Sequence, residues 1–284
     1  MLRHALVDRG VLAPDELYPV EPAPLAAPLR VHDADYVHGF INGTMTAAEV
    51  RKMGFPWSEH LVARTLASVN GTVRAAWAAL DDGVSGNLAG GTHHAFAGRG
   101  QGYCVFNDSA VAARVMQEEG RARRVVILDC DVHQGNGTAR ILQGDPTIFT
   151  FSIHGARNFP FRKEQSDLDV ALPDQTGDAE YLTALERGLE EALERAGAGD
   201  GSLDLAIYVA GADPYEHDTL GRLALTKQGL ARRDRMVLAA CRRAGVALAI
   251  SMAGGYAREL ADIVSIHAAT VRVAAEFAGL SSNR

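Results

Sequence analysis

Three ionisable side chains alternate in one short stretch of this sequence. Asp129, Asp131 and His133 occupy every second position of V125-V-I-L-D-C-D-V-H-Q-G-N-G137, after four apolar residues that are typical of a buried strand. Residues two apart in a strand share a face and lie about 7 Å apart. Asp131 and His133 can therefore hold one cation, and Asp213 in A210-G-A-D-P214 could complete the set from a neighbouring strand.

Two carboxylates and one imidazole form a ligand set that suits Zn²⁺, Fe²⁺ or a similar dication. Three protein ligands leave a position for water, which is typical of a catalytic site and not of a structural one. The alternative is a polar network satisfied by its own hydrogen bonds, without an ion. This motif alone does not decide between the two. Four polar clusters at or near predicted strand ends together favour the metal, because buried charge is costly unless it is paired or metal-bound.

Two further motifs supply groups for hydrolysis. His93 and His94 in G90-G-T-H-H94 could act as base and acid, since an imidazole does both near neutral pH. Each needs an acceptor on its other ring nitrogen, and Asp129 could serve one of them. Tyr256 in A253-G-G-Y256 could donate its hydroxyl to a developing oxyanion. Taken singly, the histidine pair could be a satisfied polar pair and the tyrosine motif an ordinary turn.

Apolar strand-like runs alternate with helix-like runs along the rest of the chain. This alternation predicts an α/β fold, with a mostly parallel central sheet covered by helices on both faces and its site at the carboxyl ends of the strands. The predicted strands cover 124–130, 147–153, 204–210 and 246–252. The predicted helices cover 58 to about 80 with Ser58 as N-cap, 108–119, 178–196, 226–243 and a last segment after Tyr256.

The remaining segments are predicted to be connections within one domain spanning 1–284. Residues 14–30 hold five prolines and predict an extended segment, and 83–102 predicts a glycine-rich loop. No internal repeat, low-complexity tract or linker divides the chain.

Composition limits the class of partner. The chain has 284 residues, 47% of them hydrophobic, and a formal net charge of −7. Such an acidic chain lacks the basic footprint that nucleic acid requires and would weakly attract a cationic substrate. No stretch reaches the roughly 20 apolar residues of a membrane span. Three separated cysteines indicate a reducing compartment, and a cytoplasmic location is expected.

The motifs together resemble the zinc-dependent histone deacetylase superfamily, which includes bacterial acetylpolyamine amidohydrolases and acetoin-utilisation proteins. They are G-G-T-H-H-A, G-Y-C-V-F-N-D, L-D-C-D-V-H-Q-G-N-G, A-G-A-D-P and G-G-Y. The sequence between the motifs resembles the class IV branch in two segments, G54-F-P-W-S-E-H-L-V-A-R-T-L-A-S-V-N-G-T and D218-T-L-G-R-L-A-L-T. The resemblance runs from about His32 to Ser265 and implies a single-domain arginase/deacetylase fold that hydrolyses an N-acyl amine, usually acyl-lysine, with a metal-activated water.

The resemblance also implies roles for individual residues. Position by position, it makes His93, His94 and Tyr256 catalytic, with Asp129 supporting His93 and Asn136 supporting His94. It assigns the zinc to Asp131, His133 and Asp213, and the substrate tunnel to Gly102, Tyr103 and Leu220. It implies a potassium ion held through Asp129, the backbone carbonyls of Asp131 and His133, and Ser152.

Several positions depart from the family pattern. Asn136 stands where many relatives have Asp, so His94 should be less basic; the resemblance implies that the class IV branch shares this Asn. His217 lies near the expected rim and either narrows the pocket or is solvated, and we favour the solvated position. Cys104 and Cys130 are expected to be packed and unreactive. Met1 to His4 is predicted to be helical, where relatives usually begin with a strand, so that strand in segment 1–30 is either absent or precedes this start.

Three functions stay open from the sequence. The first is deacylation of acyl-lysine in proteins, with acetyl or longer chains. The second is deacylation of an acetylpolyamine or another small acyl-amine. The third is a catalytically inactive acyl-amine binding module, which the presence of both histidines and the tyrosine disfavours. The oligomeric state is left open.

Overall fold

The computed structural model describes residues 1–197 and 203–279. Within these ranges helices and strands alternate along most of the chain, with two short 3₁₀ turns at Pro14–Glu16 and Pro28–Arg30. In chain order the elements are α1 (Leu2–Asp8), α2 (Ala34–Ile41), α3 (Ala47–Met53), α4 (Glu59–Asp82), β1 (Val84–Asn87), α5 (Asp108–Glu118), β2 (Val125–Asp129), α6 (Asn136–Leu142), β3 (Ile148–Gly155), β4 (Leu168–Leu172), α7 (Asp178–Ala196), β5 (Leu205–Ala210), α8 (Lys227–Ala244), β6 (Ala247–Met252) and α9 (Leu260–Phe277).

The six strands form one sheet in the order β1-β6-β5-β2-β3-β4, and every neighbouring pair is parallel. Parallel neighbours need long crossovers, which the helices provide. Side chains of β2 alternate between two cores: Val126 and Leu128 pack with α7, α8 and α9, whereas Val125 and Ile127 pack with α2, α4 and α5. The predicted three-layer α/β/α fold is confirmed.

Helix α4 shows how local sequence sets an element. Its N-cap Ser58 accepts a hydrogen bond from the Leu61 amide at 3.1 Å, as predicted. The helix continues to Asp82, slightly beyond the predicted end, and stops at Gly83, whose φ of 87° is accessible to glycine at little cost. Helix α7 covers the predicted 178–196.

Two strands were missed by the sequence analysis, and both are at the edges of the sheet. Strand β1 lies inside the predicted loop 83–102, and β4 lies between the predicted strand 147–153 and the helix 178–196. Both are short and only partly buried, so their sequences lack the continuous apolar run of an inner strand.

The N-terminal segment is helical where the sequence predicted it to be. Helix α1 buries Leu6 against the core that contains α9. The proline-containing stretch after it includes the two 3₁₀ turns, so it is less uniformly extended than predicted.

Candidate active site

One cavity of about 800 Å³ opens at the carboxyl ends of the strands. Because the sheet is parallel, the segments that follow β1, β2, β5 and β6 meet there. The sequence motifs that supply its lining include His93, His94, Gly102, Tyr103, Asp131, His133, Asp213, Leu220 and Tyr256. The motif with His93 and His94 follows β1, the edge strand for which the sequence analysis predicted a loop.

Asp131, His133 and Asp213 form a buried group whose potential ligand atoms all lie within 4.8 Å of one another. The Nδ1 atom of His133 is 3.0 Å from Asp131 Oδ1 and 3.2 Å from Asp213 Oδ2. Asp213 Oδ2 is buried and makes no hydrogen bond. An unsatisfied buried acceptor is rare, and a cation bound to this oxygen would satisfy it. These residues therefore fit a dication.

The backbone that presents this group is a pair of turns and not a strand. Strand β2 ends at Asp129. Asp129 Oδ1 then accepts a hydrogen bond from the Asp131 amide at 3.1 Å, and Asp131 Oδ1 accepts one from the His133 amide at 2.9 Å. Aspartate side chains compete with the strand ladder for backbone amides in this way. The prediction that Asp129, Asp131 and His133 alternate on one strand face is wrong, although the turns still bring Asp131 and His133 together.

Backbone amides fix the two carboxylates from outside. Gly254, in the segment after β6, donates its amide to Asp131 Oδ2 at 2.9 Å. The Val132 amide donates to Asp213 Oδ1 at 2.9 Å. A Cβ at Gly254 would lie 2.0 Å from Asp213 Oδ2, so only glycine fits at this position. Segments after β2, β5 and β6 thus hold one another in place.

The buried carboxylates also alter the ionisation of the group. Burial lowers the pKa of His133, but its close contacts with the carboxylates of Asp131 and Asp213 outweigh this and raise that pKa to about 10. Burial and the charge of Asp131 raise the pKa of Asp213 to about 7. In the protein alone a proton on His133 therefore provides the counter-charge that a dication would otherwise supply.

The two adjacent histidines have different partners. His93 Nδ1 donates to Asp129 Oδ2 at 2.6 Å, whereas His94 Nδ1 donates to Asn136 Oδ1 at 2.7 Å. Their rings are 4.1 Å apart between centroids, and both are buried. In both rings the Nδ1 proton is committed, which leaves each Nε2 available to the cavity.

The partners divide the two histidines by charge. Burial lowers the pKa of His93, but the charges of Asp129 and Asp131 outweigh it and raise that pKa to about 9. Burial and the neighbouring His93 charge lower the pKa of His94 well below its ordinary value, and the bond to uncharged Asn136 offsets this only in part. At neutral pH, His93 is a cation and His94 is a neutral base. The direction agrees with the weaker basicity expected for His94.

Tyr256 and Gly102 flank the same space. Burial, with the charges of Asp131 and Asp213, raises the pKa of Tyr256, so its hydroxyl stays protonated and can donate. The Tyr256 amide donates to Asp218 Oδ2 at 2.6 Å, which fixes the turn that carries the ring. Gly102 has φ of 56°, and a Cβ there would lie 2.7 Å from His94 Cδ2.

The mouth of the cavity is aromatic. Tyr103 and Leu220 are about half exposed there, at 50% and 49%. The sequence analysis missed Phe55, Phe159 and Phe161, which also line the cavity. The Phe159 ring lies 4.9 Å from the His94 ring between centroids, edge to face. The signal was available, because N158-F-P-F161 follows a predicted strand of the parallel sheet.

The residues predicted to hold potassium come from neighbouring strands and the turn that follows β2. Asp129 and Ser152 are direct partners in the parallel pairing of β2 with β3. Ser152 Oγ is 3.0 Å from His154 Nδ1. In the described part of the chain, no group donates a hydrogen bond to the carbonyl oxygen of Asp131 or of His133. Two free carbonyls beside a carboxylate and a hydroxyl are compatible with a hard cation.

The other residues noted in the sequence lie outside this chemistry. His217 is exposed, packs beside Tyr215 and does not line the cavity, as the solvated alternative predicted. Cys104 and Cys130 are buried free thiols, and burial raises the pKa of both. Among the helices in the described ranges, none is long and apolar enough to cross a membrane.

Sequence comparison places the chain among known proteins. It matches the family model of the histone deacetylase domain over residues 1–271. An uncharacterised protein of Picosynechococcus sp. (strain PCC 7002) is 44% identical over 274 residues, which cover 96% of this chain and 90% of that protein. Histone deacetylase 2 of Arabidopsis thaliana is 31% identical over 247 residues, and the match covers 84% of this chain and 62% of that protein.

Structural comparison gives the same fold. The crystal structure of a histone deacetylase homologue from Aquifex aeolicus superimposes with a TM-score of 0.78 at 23% identity, over 98% of this chain and 77% of that one.

A further sequence match is the acetoin utilization protein AcuC of Staphylococcus aureus (strain COL). It is 27% identical, and the match covers 79% of this chain and 62% of AcuC. The chain thus spans about three fifths of AcuC and of the Arabidopsis protein.

Proposed function

Because this chain belongs to the histone deacetylase family, a deacetylase type of hydrolase, we propose that it removes acyl groups from Nε-acyl-lysine side chains of proteins. The observation that carries the proposal is the neutral His94 beside the Asp131, His133 and Asp213 group, in a cavity that Tyr256 also lines. An amide hydrolase needs a base, an oxyanion donor and an electrophile, and this cavity offers residues for each.

Asp131, His133 and Asp213 would hold the metal, for which we propose Zn²⁺, with Fe²⁺ as the alternative that the same ligands suit. When bound, such an ion polarises the amide carbonyl and makes a water molecule more acidic. His133 must then release its Nδ1 proton, because imidazole binds a metal through an unprotonated nitrogen. Metal uptake should accordingly release protons.

His94 would move the proton of the reaction. Its Nδ1 proton is held by Asn136, so its Nε2 can take a proton from the attacking water. The same nitrogen then returns that proton to the departing lysine amine. Cationic His93, fixed by Asp129, would stabilise the negative charge that develops in between, and would not itself need to exchange a proton.

Tyr256 would complete the site from the opposite wall. Its hydroxyl is protonated and can donate to the carbonyl oxygen as that oxygen becomes negative. Gly102 would let the acyl-lysine chain approach His94, because any side chain there would collide with the imidazole. Tyr103, Phe159 and Leu220 would pack along the methylene groups of the lysine.

The charges at the mouth favour a lysine side chain over a free polyamine. Apart from Asp131, His133, Asp213 and cationic His93, the charged residues that line the cavity are Arg157 and Arg222. A deacetylated or partly acetylated polyamine carries ammonium groups, which would need carboxylates at that place. Polyamine deacylation stays as the second candidate. A binding module without activity is disfavoured, since His93, His94 and Tyr256 all line the cavity.

Asn136 and the motifs around it support assignment to the class IV branch. The residue occupies the position next to His94 that the resemblance to class IV predicts.

A potassium ion near the site is also proposed. The carbonyl oxygens of Asp131 and His133, which accept no hydrogen bond within the described residues, and the pairing of Asp129 with Ser152 support it. Three buried free cysteines are compatible with the reducing cytoplasm, where we propose that the protein acts.

The test is turnover of acyl-lysine peptides by the metal-loaded protein. Peptides with acetyl and longer acyl chains are assayed beside acetylpolyamines, and we expect hydrolysis of at least one acyl-lysine peptide. Complete inactivity on every substrate would rule out the enzyme, and turnover of polyamines alone would establish the second candidate.

Replacement of His94 by Ala tests the assigned base. We expect His94→Ala to lower kcat by about 10² to 10⁴, which is the usual contribution of a general base. Metal content should be retained, because His94 is not one of the proposed ligands. His217→Ala is the matched control and should keep full activity, since His217 is exposed and outside the cavity. Loss of metal in His94→Ala would mean that ligand and base have been confused.

A further inference from the structure

A second cavity of about 580 Å³ adjoins the catalytic one and differs from it in charge. The two share Gly102, Tyr103 and Phe159 as a common wall. We call the second cavity the basic side pocket, and its own lining comprises Arg51, Lys52, Gly54, Arg99 and Gln101. No Asp or Glu lines it.

The three cations of this pocket are exposed and lack carboxylate partners. In the described ranges, Arg51, Lys52 and Arg99 form no salt bridge with Asp or Glu. The Arg99 guanidinium stacks 3.7 Å from the centroid of the Phe96 ring, which holds it in place. By contrast, Arg157 and Arg222 at the catalytic mouth share Asp174, at 2.7 and 3.1 Å. Positive charge that no salt bridge neutralises therefore lies on the side-pocket side of the mouth.

We propose that the basic side pocket binds an acidic side chain of the substrate protein, close in sequence to the acyl-lysine. This inference rests on the proposed deacylase function and refines its substrate class. An extended peptide advances about 3.3 Å per residue, so a side chain one to three positions from the lysine can reach across the shared wall. The chain as a whole has a net charge of −7, and this pocket reverses that sign locally.

The experiment compares two peptides that differ only in the residues flanking one acyl-lysine, acidic in one and neutral in the other. We expect a kcat/KM ratio of about five in favour of the acidic peptide, which is the scale of a few solvent-exposed charge pairs. The ratio should approach one at high salt, where such pairs are screened.

Variants connect the preference to the pocket. In Arg51→Gln combined with Arg99→Gln, the ratio should fall towards one. In Arg187→Gln, an exposed arginine on α7, it should stay as in the parent protein. A parent protein that hydrolyses both peptides equally overturns this inference but leaves the deacylase function intact, whereas no hydrolysis of either peptide would contradict the deacylase function itself. A preference for the acidic peptide that survives in the Arg51→Gln, Arg99→Gln double variant also overturns the inference about the basic side pocket.

An independent observation concerns Arg233 in α8. This charged side chain is 0% exposed and contacts the backbone segments that carry the proposed metal ligands Asp131 and Asp213. One of its terminal nitrogens donates to two carbonyl oxygens, those of Gly211 at 2.6 Å and Cys130 at 3.2 Å. Cys130 directly precedes Asp131, and Gly211 lies two residues before Asp213. One guanidinium nitrogen therefore ties the turn after β2 to the turn after β5.

Asp234 holds this guanidinium in place. Its Oδ1 accepts hydrogen bonds from the other two nitrogens of Arg233, at 2.9 and 2.8 Å. Tyr208 donates its hydroxyl to the same oxygen at 2.5 Å, and Thr270 donates to Oδ2 at 2.7 Å. The planar fork of arginine satisfies carboxylate and carbonyl groups at once, which a lysine cannot do.

We also infer that Arg233 is a positioning residue that sets the spacing between the metal-binding carboxylates of Asp131 and Asp213. It touches neither ligand side chain, and it acts through the backbone that carries each of them. Partners of this kind are typically worth ten- to a hundredfold in metal affinity.

The test is metal affinity of folded protein, measured by titrating Co²⁺ or Zn²⁺ against a competing chelator. We expect Arg233→Lys to weaken binding about tenfold and Arg233→Met by up to a hundredfold, with an altered Co²⁺ absorption spectrum. Arg235→Met is the control, because Arg235 is an exposed residue of the same helix, and it should bind metal as the parent does.

Circular dichroism separates loss of folding from loss of positioning. If Arg233→Met fails to fold, Arg233→Lys, which keeps the charge, decides the question. Unchanged affinity and an unchanged Co²⁺ spectrum in folded Arg233→Lys would overturn the inference.

Discussion

At the scale of single residues, the two adjacent histidines differ in the atom that accepts their Nδ1 proton. His93 faces a carboxylate oxygen of Asp129 and His94 faces an amide oxygen of Asn136, at nearly equal distances. Burial lowers the pKa of both imidazoles, and the carboxylates of Asp129 and Asp131 outweigh it only for His93, so His93 is charged and His94 is neutral. The neutral form of His94 is the one that can take a proton.

Replacement of Asn136 by Asp should shift the pH dependence of activity. A carboxylate favours the protonated imidazole, so the pKa of His94 should rise by about one unit or more. Activity requires neutral His94 and is lost as pH falls through that pKa, so the acidic limb of the kcat profile should move to higher pH. The profiles of Asn136→Asp, the parent and Asn42→Asp, an exposed control, should be measured between pH 5 and 9. An unmoved limb would show that His94 is not the titrating base.

At the scale of elements, the loop that carries Gly102 depends on a backbone conformation that other residues rarely adopt. Gly102→Ala would combine a positive φ with a Cβ against His94, so we expect kcat/KM to drop by about 10² through displacement of the imidazole. Gly10→Ala is a matched control: Gly10 has φ of 61° but nothing within 4 Å of a Cβ. It should cost about 1 kcal/mol of stability and leave kinetics unchanged. Equal kinetics in both variants would contradict this role of Gly102.

The sequence predicted the inner elements better than the edges and the turns. Inner strands β2 and β5 are continuous apolar runs, and helix α7 has leucines at helical spacing, so their patterns are unambiguous. Edge strands β1 and β4 contact one neighbour and bury less, which weakens the pattern. The turns after Asp129 depend on aspartate side chains bonding to nearby amides, a choice that periodicity does not encode.

Site residues were predictable when a motif carried them and not when only packing did. The groups around the proposed metal site stand in compact motifs at strand ends, and the structure brings them into one cavity. Arg233 has no such motif: its contacts with Cys130 and Gly211 join residues 103 and 22 positions away. Phe55 is similar, because its segment is far in sequence from the strand ends, whereas Phe159 follows a predicted strand and could have been found.

At the scale of the whole molecule, metal binding should stabilise the fold. Burial and the charge of Asp131 raise the pKa of Asp213, and a dication would relieve the repulsion between the two carboxylates. At a free metal concentration one hundred times the Kd, the free energy of unfolding should increase by about 2.7 kcal/mol. Thermal unfolding with and without chelator measures this, and Asp213→Asn should abolish the gain while the exposed Asp82→Asn keeps it. A gain that persists in Asp213→Asn would place the metal elsewhere.

The sheet order separates the origin of the metal group from the origin of the mouth. Asp131, His133 and Asp213 follow the central neighbours β2 and β5, whereas Phe55, Tyr103, Phe159 and Leu220 stand on connecting segments farther from these strand ends. If the proposed function holds, residues that select the substrate and residues that carry out the reaction therefore come from different parts of the chain. Exchanging the connecting segments between relatives should change the substrate preference and leave the residues of the reaction centre in place. This fold would then be a suitable scaffold for directed evolution.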